Sequence, residues 1–334
     1  MENKINILFT NVGRRATLLK DFKKSLGESI NIIATDNWSV APALFVADKY
    51  YLTPKITDSK YIESVFDICK KENINVITTC VDTEIELLAS YKEWFDEMNI
   101  LTLLPSKETA SICFDKYKMF KHLENKGIKT VLTFSNLEDF DIAYKNGEIK
   151  FPVFVKPRTG SGSVGIAKIN DYESLKSFLM SSKFDNIIQE YMDCEDCDAD
   201  VYVDTISKEV VSIFSKKKIE TRIGGASKTI SFKDDKLFDF VKDINKFFDF
   251  NGPIDMDFFI KNGVYYLSEI NPRFGGAYLH AFGANVDFTK YIFNNVNGIV
   301  NNQEIGSYDD DSIMLMYDEV VIVNKKDLKG DYND

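Results

Sequence analysis

Histidine is nearly absent from this chain: His122 and His280 are the only two in 334 residues. No Ser–His–acid set can be assembled from so few, which argues against hydrolase chemistry of that type. Basic residues are outnumbered, 41 Lys and Arg against 52 Asp and Glu, for a formal net charge of -11. General attraction to nucleic acid or to a membrane surface is therefore not expected. Most of that charge reads as solvated surface. The five cysteines (69, 80, 113, 194 and 197) are odd in number and give no disulfide framework. Cys194-x-x-Cys197 lies in an acidic run, Asp193 to Asp200, with no second pair and no nearby histidine, so a zinc ribbon lacks its ligands. No apolar run approaches the ~18 residues of a membrane span, and the first residues carry no signal-peptide pattern. The expectation is a cytoplasmic protein. Thr10–Arg15 contains one glycine rather than three and is not a dinucleotide fingerprint. Repeats and low-complexity blocks are also missing.

What is present is a chain long enough for two or three packed units, 44% hydrophobic, with charges of both signs interspersed. The first third alternates short apolar runs with helical periodicity. Strands are expected at 5–9, 31–35 and 74–78, and helices at 14–26 and 61–72. Strands separated by helices imply a parallel, doubly wound sheet, with its ligand crevice beyond the carboxyl ends of the strands. Asn11–Arg14, Asp36 and Asp82–Glu84 then fall near one rim. Arg14 and Arg15 could meet an anionic substrate at a helix N-terminus or form a solvated first turn; the sequence leaves both open. Residues 106–127 read as a long helical stretch, broken in two or continuous. Further strands are expected at 151–157, 166–169, 186–192, 199–207 and 210–215, and an amphipathic helix at 237–250. Ile254–Ile260 and Val264–Ile270 flank Lys261-Asn262-Gly263, a hairpin signal.

Two clusters carry chemistry. Asp255-Met256-Asp257 and Glu269-Ile270-Asn271-Pro272-Arg273 place acids and an amide at alternate positions of the two hairpin strands, hence on matching faces. Hard oxygen donors of this kind suit Mg²⁺, which takes its remaining ligands from water and phosphate. Because these acids interrupt otherwise apolar strands, a metal site is favoured over a solvated face. The second cluster is Lys156, at the end of an apolar strand, followed by Arg158-Thr159-Gly160-Ser161-Gly162-Ser163-Val164-Gly165. Glycines let backbone N–H groups approach phosphate oxygens, and the lysine adds fixed charge. The context is strand–loop–strand, unlike a P-loop, and a merely flexible turn stays open. Arg222 beside Gly224-Gly225, and Arg273 before Gly275-Gly276, suit oxyanion contact. Lys216–Lys218 reads as a solvated basic run.

Taken in order, these residues resemble the ATP-grasp superfamily, in the branch similar to the large subunit of carbamoyl phosphate synthetase. The resemblance implies an α/β chain (α+β in its C-terminal part): a parallel pre-ATP-grasp domain at 1–107, then a two-lobed grasp fold with a small lobe at 108–190 and a large lobe at 191–334. It implies that Lys116 and Lys156 reach the nucleotide phosphates, and that Ser161, Gly162 and Ser163 belong to a mobile flap. Gln189, Glu190, Tyr191 and Met192 form the adenine hinge, and Asp196 stands where a ribose-binding glutamate is usual, one methylene shorter. Asp257, Glu269 and Asn271 match the metal ligands, and Arg273 the phosphate-contacting arginine. Arg273, Lys156 and Arg222 are the candidate catalytic residues. The implied cofactors are ATP and Mg²⁺, with Mn²⁺ as a substitute. The implied reaction phosphorylates a small-molecule carboxylate and passes the acyl group to an amine, in a chain that binds neither nucleic acid nor membrane and is expected to form a homodimer. A phosphotransferase and a nucleotide-binding regulator are the competing readings.

Overall fold

The computed structural model describes residues 4–160, 162, 164–222 and 225–330. Its first unit is a five-stranded parallel sheet of β1 (Ile5–Thr10), β2 (Ile30–Asp36), β3 (Lys49–Leu52), β4 (Val76–Thr79) and β5 (Leu101–Thr102), in the order β3-β2-β1-β4-β5. The strands are short continuous apolar runs because both faces are covered by helices. Strand order reverses between β1 and β4, so the crevice opens above Thr10–Asn11 and Thr79–Cys80. Glu84 closes the floor of this crevice. It is fully buried and accepts hydrogen bonds from Thr10 Oγ1 at 2.8 Å, Asn11 Nδ2 at 2.7 Å, the Tyr61 hydroxyl and Thr79 Oγ1. The acidic rim expected from sequence thus splits: Asp82 stays at the mouth, while Glu84 becomes a structural acceptor.

The second sheet is antiparallel: β6 (Thr133–Phe134), β7 (Val153–Pro157), β8 (Ala167–Ile169) and β9 (Asn186–Glu190), ordered β6-β9-β7-β8. Its own core gathers Phe140, Val153, Val155, Leu175 and Ile188. The third sheet holds six antiparallel strands: β10 (Glu195–Val203), β11 (Val210–Arg222), β12 (Gly225–Phe232), β13 (Gly252–Lys261), β14 (Val264–Asn271) and β15 (Ile313–Leu315), ordered β14-β13-β10-β11-β12-β15. The fold is mixed α/β, a parallel sheet followed by antiparallel ones, as the sequence implied.

One apolar core runs from the first sheet into the third. Phe9, Phe22, Phe274 and Tyr278 meet edge-to-face in series at centroid distances of 5.0, 5.7 and 4.8 Å. That series fixes the loop after β14 against the parallel sheet. The second sheet hangs on a narrower connection. Leu267 of β14 exchanges backbone hydrogen bonds with Lys129 and Val131, where a bulge breaks the hairpin register.

Local departures from the sequence expectation have physical causes. The helix expected to reach 250 ends at Asn245, because Phe250 leaves the helix to enter the core and Gly252, at φ 86°, passes against Leu103. The stretch 106–127 does break in two, at Asp115, whose extended backbone and carboxylate cap the second helix, Lys116–Leu123, through the N–H groups of Tyr117 and Lys118. His122 is half-buried, with Nε2 2.9 Å from the Phe247 carbonyl.

His280 is 3% exposed, with Nδ1 2.8 Å from Thr229 Oγ1, and burial together with nearby Lys216 pushes its pKa down to about 4. The folded state therefore binds fewer protons than the unfolded chain between about pH 6.5 and 4. Stability contributed by the neutral ring is present above 6.5 and lost as pH falls through that window. A shift of that size is worth on the order of 2–3 kcal/mol. Urea unfolding of wild type and His280→Gln at pH 7 and pH 5 is expected to show a smaller acid loss in the variant; equal losses would contradict the assignment.

Candidate active site

β10 reads Glu195-Asp196-Cys197-Asp198-Ala199-Asp200, so acids and small apolar residues alternate. Alternation on a strand puts Cys197 and Ala199 into the core and Asp196, Asp198 and Asp200 on the opposite face. Register then builds charged rows across the sheet. Lys216, Asp198, Asp257 and Glu269 align across β11, β10, β13 and β14; Asp200, Asp255 and Asn271 form the row beside them. The expected acid and amide positions on the hairpin do share one face. Asn271 Nδ2 lies 3.5 Å from Asp257 Oδ2.

The basic run Lys216–Lys218 is not solvated as the sequence suggested. Lys216 is fully buried between Asp200 at 2.5 Å and Asp198 at 3.0 Å, and Lys218 joins Asp257 at 2.5 Å to Asp196 at 2.9 Å. Only Lys217, on the other face, reaches solvent, beside Glu195. Burial alone would lower the pKa of both buried lysines; for Lys216 the facing Asp198 and Asp200, and for Lys218 chiefly Asp257, outweigh it and hold the ammonium charged. The same burial raises Asp198, Asp200 and Asp255 above the usual carboxylate range.

Two further lysines approach from the small-lobe side. Lys116 opens its helix, donates to the Gly160 carbonyl at 2.7 Å and stands 3.5 Å from Glu269. Lys156, near the end of β7, is 9% exposed and has no hydrogen-bond or ion-pair partner among the described residues. Burial lowers its pKa, with Lys116 and Lys218 adding to that and Glu269 opposing it. A desolvated ammonium without a counter-ion is a binding place for an anion. The glycine-rich loop joins β7 to β8 as a hairpin, and Gly160, Gly162 and Gly165 all have positive φ. At its base Arg158 donates Nε to both Asp115 oxygens at 2.9 Å, tying the loop to the capped helix. Ser161 and Ser163 lie outside the described residues.

At the junction of the two antiparallel sheets, Gln189 is buried and donates to Thr133 Oγ1 at 2.7 Å, while Glu190 pairs with Lys261. Tyr191 carries Lys168 over its ring at 3.9 Å, and Met192 is buried. Asp196 does not stand free beside this hinge but is held by Lys218.

Arg273 is buried at the opposite end of the face. It donates Nε to Asp82 at 2.8 Å and lies 3.3 Å from Asp255, bridging the loop after β14 to the mouth of the parallel-sheet crevice. Arg15 donates to the Gly275 carbonyl at 2.8 Å, joining the start of the first helix to the loop after β14, while Arg14 is exposed. Asp36 accepts from the Gly13 N–H at 2.8 Å. Arg222 is not brought to this cluster: its side chain is 64% exposed at the far tip of the β11–β12 hairpin, paired with Glu220. Cys197 is buried in the core, and Cys194 is half-buried with no metal cluster around it among the described residues.

No group of three His, Cys, Asp or Glu among the described residues forms a closed metal cage. Two carboxylates and one amide oxygen on facing strands, open toward Lys116 and Lys156, fit a cation that completes its shell with water and phosphate, which is the habit of Mg²⁺. A small cleft lined by Asp82, Cys113, Gly160, Glu269, Asn271 and Pro272 lies where these elements meet.

Comparisons with known proteins agree with this geometry. Residues 7–103 match the PylC-like N-terminal domain and residues 113–277 the ATP-grasp domain. The carbamoyl phosphate synthase large chain of Sulfolobus acidocaldarius is 24% identical over 268 residues, 76% of this chain but 25% of that one. D-alanine–D-alanine ligase B of Clostridium perfringens is 28% identical over 146 residues, 37% of this chain and 48% of that one. The chain thus spans about a quarter to a half of the length of these relatives. The crystal structure of N5-carboxyaminoimidazole synthetase from Staphylococcus aureus complexed with ADP superposes over 95% of this chain and 81% of that one, with a TM-score of 0.70 at 19% identity. The chain is an ATP-grasp protein, its grasp domain at residues 113–277 preceded by a PylC-like N-terminal domain at residues 7–103.

Proposed function

We propose that the chain is an ADP-forming ligase that activates a carboxylate with Mg-ATP and joins it to an amine. The observation that carries this reading is the meeting of Asp257 and Glu269 with three buried or half-buried lysines, Lys116, Lys156 and Lys218, drawn from three separate elements. Such a set matches a polyphosphate with its metal. In this reading Lys156 supplies its uncompensated charge to the phosphates, and Lys116 exchanges Glu269 for a phosphate oxygen. Arg273 stands where charge develops on the transferred phosphoryl group. Asp257, Glu269 and Asn271 would hold Mg²⁺, which when bound would withdraw charge from phosphate oxygens. The glycine loop, anchored by Arg158 and Asp115, covers the phosphates and keeps water from the activated carboxylate. Glu190, Tyr191 and Met192 receive the adenine, and Asp196 the ribose once Lys218 turns to phosphate. No helix among the described residues is long and apolar enough to cross a membrane, in keeping with a cytoplasmic enzyme.

The test is ADP release from Mg-ATP with pools of small carboxylic acids and amines, offered separately and together. A ligase gives ADP only when both are present. Release with a single acceptor identifies a phosphotransferase instead, and ATP binding without release in any pool identifies a regulator. Either result would displace the ligase reading.

A further inference from the structure

The six-stranded sheet ends at β15, Ile313–Leu315, which pairs with β12 on one side and, among the described residues, with no strand on the other. Beyond it the chain reads Met316-Tyr317-Asp318-Glu319-Val320-Val321-Ile322-Val323. Successive β-branched residues favour a strand, yet residues 316–324 form neither helix nor strand within the chain. The run is held at both ends. The Met316 N–H donates to the Ser227 carbonyl at 2.9 Å, Lys20 of the helix Ala16–Leu26 pairs with Glu319, and the Tyr50 hydroxyl on β3 donates to the Asp327 carbonyl at 2.8 Å. A segment fixed in this way loses little further freedom when something packs on it.

Between those anchors the apolar side chains face solvent. Ile313, Leu315, Tyr317, Val320 and Ile322 are all between 55% and 90% exposed. Scattered singly they would need no explanation, but they fall within ten residues. Together they present on the order of 700 Å² of side chain, more than the largest patch on a typical monomer and close to what each partner brings to a standard interface. The polarity of the segment says what covers it. Exposed acids precede the apolar run, Asp309 and Asp310, and exposed lysines follow it, Lys325 and Lys326. Laid antiparallel on a copy of itself about a two-fold axis between Tyr317 and Asp318, the segment sets Asp309 against Lys326 and Asp310 against Lys325. The same register sets Ile313 against Ile322 and Leu315 against Val320, exposed on exposed, and half-buried Met314 against half-buried Val321. Cross-strand partners share a face and so cover one another. One register therefore matches charge, apolar surface and burial at once.

We propose that residues 309–326 form a two-fold interface between two copies of this chain, in which β15 of each copy pairs antiparallel with Val320–Ile322 of the other. The contact is isologous, so it closes at a dimer. It gives β15 a neighbour and gives the β-branched run the strand partner it lacks within its own chain. The apolar residues supply the affinity, and the terminal charges set direction and register. β15 stands at the opposite edge of the sheet from β14, so the interface uses none of the residues assigned to the nucleotide and does not depend on the ligase reading.

Sedimentation of the full chain over a dilution series is expected to show a monomer–dimer equilibrium. Ile322→Lys, at a position 90% exposed, leaves the folded chain intact. Because the two-fold repeats every residue, it acts twice and is expected to weaken dimerisation by about 100-fold or more. Lys326→Asp is expected to weaken it by a few-fold only, and adding Asp309→Lys in the same chain to restore it, since each copy then meets its reversed partner. Cysteine cross-linking tests the register. Leu315→Cys and Val320→Cys proteins are expected to form a disulfide dimer when mixed and neither to do so alone. A wild-type chain that stays monomeric throughout, a dimer indifferent to Ile322→Lys, or cross-linking of Leu315→Cys to itself in preference to Val320→Cys would each overturn the proposal.

Discussion

Glu269→Gln is expected to reduce Mg-ATP turnover by at least about 10²–10³-fold, the loss typical when one preorganised electrostatic group is removed from a transition state. Glu269 faces Asp257 across the hairpin, lines the cleft and holds Lys116 at 3.5 Å. In the proposed site it would be both half of the carboxylate pair for the metal and the temporary counter-ion of the lysine assigned to the phosphates. Glutamine keeps the size and one oxygen but loses the charge, so folding is preserved while the metal loses a hard anionic ligand. Two readouts separate this from general damage. The Mg²⁺ concentration for half-maximal rate should rise in the variant, and thermal stabilisation by Mg-ATP should shrink although the melting temperature of the free protein barely moves. A variant with wild-type turnover and wild-type Mg²⁺ dependence would remove Glu269, and with it the metal assignment, from the site.

The hairpin acids were readable from sequence because their spacing is local: Asp255, Asp257, Glu269 and Asn271 sit on two adjacent strands joined by one turn. The loop after Lys156 was legible for the same reason, since a run of glycines acts within a few residues, whereas the sequence left open whether the stretch 106–127 breaks, and the structure breaks it at Asp115. Lys216 and Lys218 were not. A triple lysine looks solvated until the partner strand is known, and their partners Asp196, Asp198 and Asp200 come from β10. The signal existed in the alternation of acid with Cys197, Ala199 and Val201, a strand pattern that a count of charges conceals. Arg222 erred in the other direction. Its neighbouring glycines resemble those after Arg273, but Arg273 is drawn inward by Asp82 from the parallel sheet, whereas Arg222 pairs with Glu220 of its own exposed strand. Which domain supplies a distant counter-charge is a tertiary fact, and it separates these two arginines.

The same reasoning gives opposite signs for two buried lysines. Lys216→Met is expected to destabilise the fold by about 3–5 kcal/mol, because Asp198 and Asp200 would remain buried without their shared cation. Lys156→Met is expected to be neutral or to stabilise by about 1–2 kcal/mol, because it replaces a desolvated ammonium that has no direct partner among the described residues by an apolar chain of similar length. Alkaline titration distinguishes them further. Burial holds the Lys156 pKa below its ordinary 10.5, so the folded state binds fewer protons and stability falls as pH drops from 10.5 toward the lowered value. Lys216 is held above 10.5 by its carboxylates, so its contribution is complete below that pH and is lost only as pH rises through the folded value. Urea unfolding at pH 7.5 and pH 10 is expected to show a difference from wild type that changes with pH for Lys156→Met and one that stays constant for Lys216→Met. Stability gained in Lys156→Met must come with lost function: ATP affinity or turnover should drop by about 10²–10³-fold, since the charge that is a liability in the free protein is the one the phosphates would neutralise. A Lys156→Met protein that is both less stable and fully active would contradict the burial argument and the phosphate assignment together.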